Sequence, residues 1–398
     1  MAFDHLEFFL VALAVTVPVA AAGLAGRRLF PFGLAASLVL GAYIFYPFPL
    51  QGVHYLLFIL WQGLVVNWYA RIRQWGKRRG RFWAAVAFSA APMLCAKLAG
   101  WFEPLGVFHF LGVSYATFRS LQVLVETRHG LVTGVRPLRF LYFLSFAPAL
   151  CMGPIDRSRR FEGDLDARWT REEYASMLAL GLRRILAGAV CYFVIYRELY
   201  PLDEAWLVAW RDQAASFGLG HRLGFHLLRG GLYGVTLFFE FAGICSMAIG
   251  LSHAWGIRMP ENFRRPFAAV DIKEFWDRWH ITLSHWLRDF LFTPILLELR
   301  PRGLLRAGHL DAMAAYLATF LAMGLWHGFS LGCAAYGLYH GALLCAFHFY
   351  QKKSGFYRRN KGKAWYKALS WLATMAALAV AFALFRHIVA RPAPGAWR

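Results

Sequence analysis

Two histidines stand in stretches of the sequence that are otherwise rich in aromatic and aliphatic residues. His280 lies in "FWDRWHITLSHWLRDF", residues 275–290, and His327 lies in "LAMGLWHGFSLG", residues 321–332. A neutral imidazole in a poorly hydrated chamber is suited to taking a proton from an attacking hydroxyl as a general base. The two histidines are therefore candidates for general-base chemistry.

Other polar residues accompany them at apparent membrane depth. Glu240 lies in "TLFFEFAGICSMAIG" (236–250), and "CMGPIDRSRRF" (151–161) places Asp156 and Arg157 after a Gly-Pro pair that cannot continue a regular helix. Ionisable groups in lipid are costly unless they face a partner or a cavity. Together these residues predict a polar chamber beside broken helices. For either histidine alone, a satisfied core residue is the alternative.

Metal binding and serine hydrolysis fit the pattern poorly. His280 and His285 stand without an HExxH motif or a ladder of paired carboxylates, and the chain has no GxSxG elbow. We therefore expect no bound metal. A transporter, in which Glu240, His280 and His327 conduct protons or ions, is an alternative from another class.

The stretch 275–290 has the periodicity of an amphipathic helix. Its apolar face holds Phe275, Trp279, Leu283, Trp286, Leu287 and Phe290, and its polar face holds Asp277, His280, Ser284 and Arg288. Glu274 and Arg278 stand at i and i+4, where opposite charges can meet. Such a helix is too charged to span lipid alone, so it should lie at the membrane interface or line a wet cavity. An interfacial helix without chemistry is the alternative.

Composition places these residues in an integral membrane protein. Of the 398 residues, 59% are hydrophobic and 16% are charged, which leaves more apolar surface than a water-soluble fold can hide. Apolar runs recur along the chain and predict an all-α protein with roughly ten to twelve transmembrane helices, some of them re-entrant or broken. We expect a single membrane-embedded domain over residues 1–398.

Positive charge is concentrated in short loops between the apolar runs. The net charge is +21, and the densest clusters are 71–81 and 352–363. This placement is typical of cytoplasmic loops, and it predicts an N-terminus that faces outward. It argues against a nucleic-acid partner. Anionic lipid or an acidic cytosolic protein fits such loops.

Five blocks of the chain resemble successive blocks of the membrane-bound O-acyltransferase family, in family order. They are "LGVSYATFRSLQVLVETRHG" (111–130), "MGPIDRSRRF" (152–161), "FFEFAGICSMAIGLSHAWGIRMPENFRRPF" (238–267), "IKEFWDRWHITLSHWLRDFLFTP" (272–294) and "GLWHG" (324–328). The segments "GPIDRSRRF", "TFRSLQVLVETR" and "PENFRRPF" resemble the D-alanyl transferase branch, whose members esterify teichoic acids, more than the alginate O-acetyltransferase branch.

The resemblance implies a fold and a site. The expected fold is a ring of transmembrane helices, thin in the middle, whose cytosolic and outer cavities meet near the histidines. His327 matches the near-invariant family histidine and His280 the histidine of the RWH block, so both are candidate catalytic residues. The candidate substrate-binding residues are Asp277, Arg278, Trp279, Ser284, Trp326, Asn262, Asp156, Arg157 and Glu240.

The branch also implies substrates and partners. Its members take an acyl thioester from the phosphopantetheine arm of a small acidic carrier protein on the cytosolic side, and no bound cofactor is expected. They work with a small single-span membrane partner and an outward-facing accessory protein. The chain would then reside in the bacterial cytoplasmic membrane and esterify a hydroxyl of a cell-envelope polymer. An alginate-type acetyltransferase is the alternative.

A mechanism follows from the resemblance as a hypothesis. His327 would accept the proton of the hydroxyl as it attacks the thioester carbonyl, while His280, or Arg278 nearby, would steady the developing oxyanion or the departing thiolate. Direct transfer and an acyl relay through the membrane partner both stay open.

Overall fold

The regular structure of this chain is helical. The computed structural model describes residues 6–76, 78–99, 102, 110–150, 152–201, 218–300 and 310–389. Within these ranges no β-strand is present. The prediction of an all-α protein is confirmed.

Sixteen α-helices are described here by their bounds in chain order. They are α1 Leu6–Leu24, α2 Phe30–Phe45, α3 Pro49–Arg73, α4 Arg79–Leu98, α5 Val113–His129, α6 Pro137–Leu144, α7 Ser158–Asp166, α8 Arg171–Ala189, α9 Leu219–Ala254, α10 Ile272–Trp276, α11 Ile281–Leu287, α12 Thr293–Leu299, α13 Leu310–His327, α14 Leu331–Lys353, α15 Gly355–Asn360 and α16 Ala364–Val389. Helical turns of π type follow α8 (Val190–Tyr196) and α11 (Arg288–Phe292).

Several helices have the length and apolar character of membrane spans. In the described part of the chain there are five, at Glu7–Leu24, Pro49–Arg73, Arg171–Pro201, Leu219–Ala254 and Ala364–Ile388. A helix of about 20 apolar residues matches the hydrocarbon thickness of a bilayer. The chain is a multi-pass membrane protein. A ring of roughly ten to twelve crossings stays a prediction.

The chain divides into two compact units, 1–190 with 243–260 and 191–242 with 261–398. Helix α9 contributes residues 219–242 to the second unit and 243–254 to the first. The prediction that residues 1–398 act as one domain concerns the joint behaviour of the units and stays a prediction.

A stripe of buried polar residues on α5 organises the first unit. Arg119, Gln122 and Glu126 follow one another at helical spacing. The guanidinium of Arg119 is 1% exposed and donates hydrogen bonds to the carbonyl oxygens of Phe143 and Ala149, each at 2.9 Å. A buried charge needs such partners because it has lost its water. The α5 stripe thereby fixes the non-helical segment that follows α6.

The same stripe holds the segment around the Gly-Pro pair. Gln122 Nε2 donates to the backbone oxygen of Asp156 at 2.9 Å, and Ser158 Oγ donates to Glu126 at 2.7 Å. The Asp156 carboxylate is buried and pairs with Arg160 four residues later. The helix break predicted from Gly153 and Pro154 is present, since the next helix begins only at Ser158.

In the second unit, α13 and α14 pack very closely. A Cβ atom at Gly324 would lie 2.9 Å from the Cα atom of Gly337, which is too close for a side chain. Gly341 makes a similar approach, because its Cβ would lie 3.2 Å from the Cα atom of Leu317. The glycines near His327 therefore permit a close approach of the two helices. It places the end of α13 beside the first turns of α14.

The loop between α9 and α10 is anchored on α16. Ser370 Oγ donates to the carbonyl oxygen of Val270 at 2.6 Å, and the indole N–H of Trp371 donates to that of Phe267 at 2.7 Å. Trp279 stacks on Phe275, with ring centroids 5.6 Å apart. These contacts give a loop with little regular structure a fixed position in the unit.

The stretch 275–290 is not one helix, so that prediction is wrong in its first half. Helix α10 ends at Trp276, α11 begins at Ile281, and His280 between them has a left-handed backbone (φ 43°). Two backbone bonds cause the break. The N–H of Arg264 donates to Arg278 O and the N–H of Ile281 donates to Asn262 O, each at 2.9 Å. These long-range bonds replace the i to i−4 bonds of a continuous helix.

Candidate active site

His280 sits at the break between α10 and α11 and is held by Asn262. Its side chain is 6% exposed, and its Nδ1 lies 3.0 Å from Asn262 Oδ1. The ring of Phe241 meets the imidazole edge to face at 4.8 Å. A left-handed backbone at a residue other than glycine costs about 1–3 kcal/mol and persists where surrounding contacts determine it. The conformation of His280 is fixed by its backbone, its ring nitrogen and its aromatic neighbour.

Burial determines the charge of His280, which lies outside the five helices of membrane-span length. Desolvation, with a smaller contribution from the charge of His327, lowers the pKa of His280 to about 3. The imidazole is therefore neutral at physiological pH.

His327 lies in a different environment. It is the last residue of α13, and it is exposed. Its ring lies against Trp326 (4.7 Å between centroids), Phe385 (4.9 Å) and Tyr336 (5.9 Å). The C-terminal end of a helix stabilises a positive charge by about 0.3–1 kcal/mol. The imidazole of His327 is therefore accessible at a helix end.

Three of four further residues predicted for the site support this loop. Arg278 forms an ion pair with Glu274, as the i, i+4 spacing predicted. Trp279 is buried among aromatic rings, and Ser284 Oγ donates to the backbone oxygen of Trp279 at 3.2 Å. Asp277 is exposed. In the structure, Arg278, Trp279 and Ser284 make contacts that hold the RWH segment in place.

The remaining predicted residues fall in two places. Glu240 is half-buried on α9 and directly precedes Phe241, whose ring packs on His280. Trp326 packs on His327. Asp156 and Arg157 belong to the first unit, where Asp156 is engaged by Arg160. The second unit thus brings together His280, Asn262 and Phe241, whereas Glu240 is a sequence neighbour of Phe241 and His327 and Trp326 lie at the end of α13.

A third histidine was missed by the sequence analysis. His340 on α14 is 2% exposed, and its ring lies 4.9 Å from that of Tyr336 and 5.0 Å from that of Trp276. Tyr336 also contacts His327. Within the described part of the chain, His340 Nδ1 and Trp276 Nε1 have no hydrogen-bond partner. His340 is thus a buried polar group one aromatic ring away from His327.

A signal for this third histidine is present in the sequence. His327 has glycines three residues before it and one residue after it, and "GLYHG" (337–341) repeats that spacing around His340. Small residues at such positions permit close helix packing, and an imidazole between them in an apolar run is unusual. The repeated pattern predicts that His340, like His327, lies near the site.

The chemistry available here is proton transfer. Within the described residues, there is no group of three or more histidine, cysteine, aspartate or glutamate side chains that could hold a metal ion. The imidazole of His280 is neutral and fixed, and that of His327 is accessible. Such a pair is suited to removing the proton of an attacking hydroxyl while the rest of the substrate is held in place.

Comparisons with known proteins agree with this chemistry. The chain matches the membrane-bound O-acyltransferase family over residues 110–385. It is 33% identical to the teichoic acid D-alanyltransferase of Bacillus subtilis (strain 168), covering 96% of this chain and 97% of the relative. The D-alanyltransferase of Streptococcus thermophilus is 32% identical, over 83% of this chain and 81% of its own length.

A second group of relatives is named for another acyl group. The probable alginate O-acetylase AlgI of Pseudomonas fluorescens is 29% identical over 89% of this chain and 68% of its own length. Both groups are named for acyl transfer, and the resemblance inferred from the sequence blocks is confirmed. From the family match and these relatives we conclude that the chain belongs to the membrane-bound O-acyltransferase family and is an O-acyltransferase.

Proposed function

We propose that this enzyme transfers a D-alanyl group from the phosphopantetheine thioester of an acidic carrier protein to a hydroxyl of a teichoic-acid-like polymer of the cell envelope. Family membership already assigns O-acyl transfer, which argues against the transporter alternative. The proposal adds the acyl group, the donor and the acceptor.

End-to-end similarity is the observation that carries the choice of acyl group. The match to the Bacillus subtilis D-alanyltransferase covers 97% of that protein, whereas the match to the probable alginate O-acetylase of Pseudomonas fluorescens covers 68% of that relative. The chain therefore aligns with this member of the first group over nearly the whole of that relative. This supports D-alanyl transfer over acetyl transfer.

The reaction balances without a cofactor. The acceptor oxygen forms a bond to the thioester carbonyl carbon, and His327 takes the hydroxyl proton. The carbon–sulfur bond then breaks, and the proton passes to the departing thiolate, which leaves as the free thiol of the carrier. Positioned proton transfer of this kind is typically worth about 10²–10⁴-fold in rate. The accessible imidazole at the end of α13 is suited to this role.

The partners follow from the donor and from charge. An acidic carrier would dock from the cytosolic side on exposed basic residues such as Lys352, Lys353, Arg358 and Arg359. The N-terminus would face outward across the bacterial cytoplasmic membrane, as the basic loops predict. A single-span membrane partner, an outward-facing accessory protein and anionic lipid complete the proposed assembly.

The test is a competition between donors. Purified enzyme in liposomes is given D-alanyl-carrier and acetyl-carrier side by side, with a glycerol-phosphate polymer as acceptor. We expect labelled D-alanine to become ester-linked to the polymer and acetate to be transferred poorly. Efficient acetyl transfer with no D-alanyl transfer would assign the enzyme to the alginate-type group.

A further inference from the structure

Asn262 makes several hydrogen bonds to the segment that contains His280. Its side-chain oxygen lies 3.0 Å from His280 Nδ1, 3.3 Å from the backbone nitrogen of Thr282 and 2.8 Å from Thr282 Oγ1. Its backbone oxygen accepts from Ile281 at 2.9 Å. The side chain is 1% exposed. One residue thus fixes the backbone on both sides of His280 and one nitrogen of its ring.

These contacts determine the orientation of the amide. A backbone N–H can only donate, so the Asn262 atom that faces Thr282 N must be the oxygen. An amide oxygen only accepts, and therefore the His280 nitrogen beside it must carry the hydrogen. His280 is then protonated at Nδ1, and its lone pair lies on Nε2. The usual ambiguity of histidine tautomers is removed by the main chain.

We propose that Asn262 is a positioning residue that holds His280 as the Nδ1–H tautomer, so that Nε2 of His280 accepts a hydrogen bond from an N–H group of the thioester substrate. This deepens the proposed function and rests on it. A neutral His280 in this tautomer has no N–H at Nε2 to offer an oxyanion. Its role changes from steadying the oxyanion to binding the donor.

The proton balance of the reaction selects the partner of Nε2. The attacking hydroxyl carries a single hydrogen, and in the proposed reaction this hydrogen goes to His327. The group that donates to His280 must then belong to the other substrate. A D-alanyl pantetheine thioester has two kinds of N–H donor, the ammonium on the α-carbon and the amides of the pantetheine arm. A neutral imidazole can bind the ammonium without like-charge repulsion.

A rescue experiment tests the tautomer. Asn262→Ala should lower kcat/KM for D-alanyl transfer by about 10- to 100-fold, as expected when a buried group loses its hydrogen bond. Incorporating Nδ-methylhistidine at position 280 in that variant should recover at least about half of the loss on a logarithmic scale, because the methyl group blocks Nδ1 and leaves the lone pair on Nε2. A folded double variant without recovery would overturn the proposal.

Two controls separate tautomer from structure. Thr282→Val removes one donor to Asn262 but leaves the bond to His280, so it should stay within about threefold of wild type. Propionyl-pantetheine lacks the ammonium of the D-alanyl donor. If the ammonium is the partner, Asn262→Ala should change kcat/KM for propionyl transfer little. If a pantetheine amide is the partner, the variant should lower kcat/KM equally for both donors. An equal loss in Thr282→Val and Asn262→Ala would mean that Asn262 only holds the loop together, against the proposal.

A spectroscopic measurement avoids the need for any folded variant at position 262. Solid-state ¹⁵N NMR of the wild-type protein, with His280 assigned by the signal lost in His280→Gln, distinguishes the two neutral tautomers. We expect a protonated Nδ1 and an unprotonated Nε2. A protonated Nε2 would overturn the proposal even if D-alanyl transfer is confirmed. Absence of D-alanyl transfer with the expected tautomer would instead contradict the proposed function and the role given to Nε2.

Discussion

Arg119 in the first unit and His280 in the second are both buried polar side chains held by other parts of the chain, yet they differ in what they leave available. Arg119 donates to main-chain carbonyls, and a guanidinium has no lone pair to offer. His280 is held through Nδ1 alone, so its second nitrogen retains hydrogen-bonding capacity. Burial of an ionisable group therefore does not by itself indicate a reactive site. It does so only when one atom of the group can still form a hydrogen bond with a substrate.

The largest expected effect comes from His327. His327→Ala should reduce D-alanyl transfer by at least about 10²-fold, the loss expected for a general base. Because the side chain is exposed, the thermal unfolding temperature should barely change. Transfer is measured from labelled carrier in liposomes. His226→Ala, another exposed histidine of the second unit, is the matched control and should keep wild-type activity.

Removing Arg119 should lower the stability of the fold and should not act directly on the reaction. Arg119→Met leaves the carbonyls of Phe143 and Ala149 without their donor, and we expect a loss of about 3–5 kcal/mol in unfolding free energy. Arg139→Met removes partly exposed ion pairs with Glu162 and Asp166 and should cost about 1 kcal/mol. Thermal unfolding in detergent measures both. A stable Arg119→Met protein without activity would instead indicate that the α5 stripe belongs to the active site.

His340 provides a test of intermediate size. His340→Leu replaces a buried imidazole whose Nδ1 has no partner within the described residues, so stability should not fall. Activity should drop by less than about tenfold, because His340 contacts Tyr336 rather than taking the proton itself. Unfolding temperature and transfer rate are measured on the same preparation. A clear loss of stability would show that the imidazole makes a structural hydrogen bond.

The smallest effect concerns carrier docking. Reversing the charge at Lys352 and Lys353 should weaken carrier binding a few-fold at low salt, and the difference should fade as ionic strength screens charges beyond ~8–10 Å. The double Arg variant at these positions keeps the charge and serves as control. Binding is measured by titration over a salt series. Salt-independent capture by the wild type would assign these loops to topology alone.

Local pattern predicted much of this structure. The all-α class, the absence of a continuous helix at Gly153 and Pro154, and the Glu274–Arg278 pair depend on neighbours in sequence or on composition. Family blocks pointed to His280 and His327.

What local pattern did not predict depends on distant contacts. The periodicity of 275–290 continues through His280, whereas the break is imposed by backbone bonds from Asn262 and Arg264. The side chain of Asn262 also positions the ring of His280, a role that no spacing in the sequence indicates. His340 was missed although its glycine spacing repeats that of His327, because its meaning depends on α14 packing against the end of α13.

The central claim is that the two histidines have different tasks, and steady-state kinetics with D-alanyl pantetheine as a small donor tests it most directly. For His327→Ala we expect kcat to fall at least about 10²-fold with little change in KM for the donor, and for His280→Ala we expect KM for the donor to rise about tenfold. A His327→Ala enzyme that keeps more than about a tenth of the wild-type kcat would contradict the account.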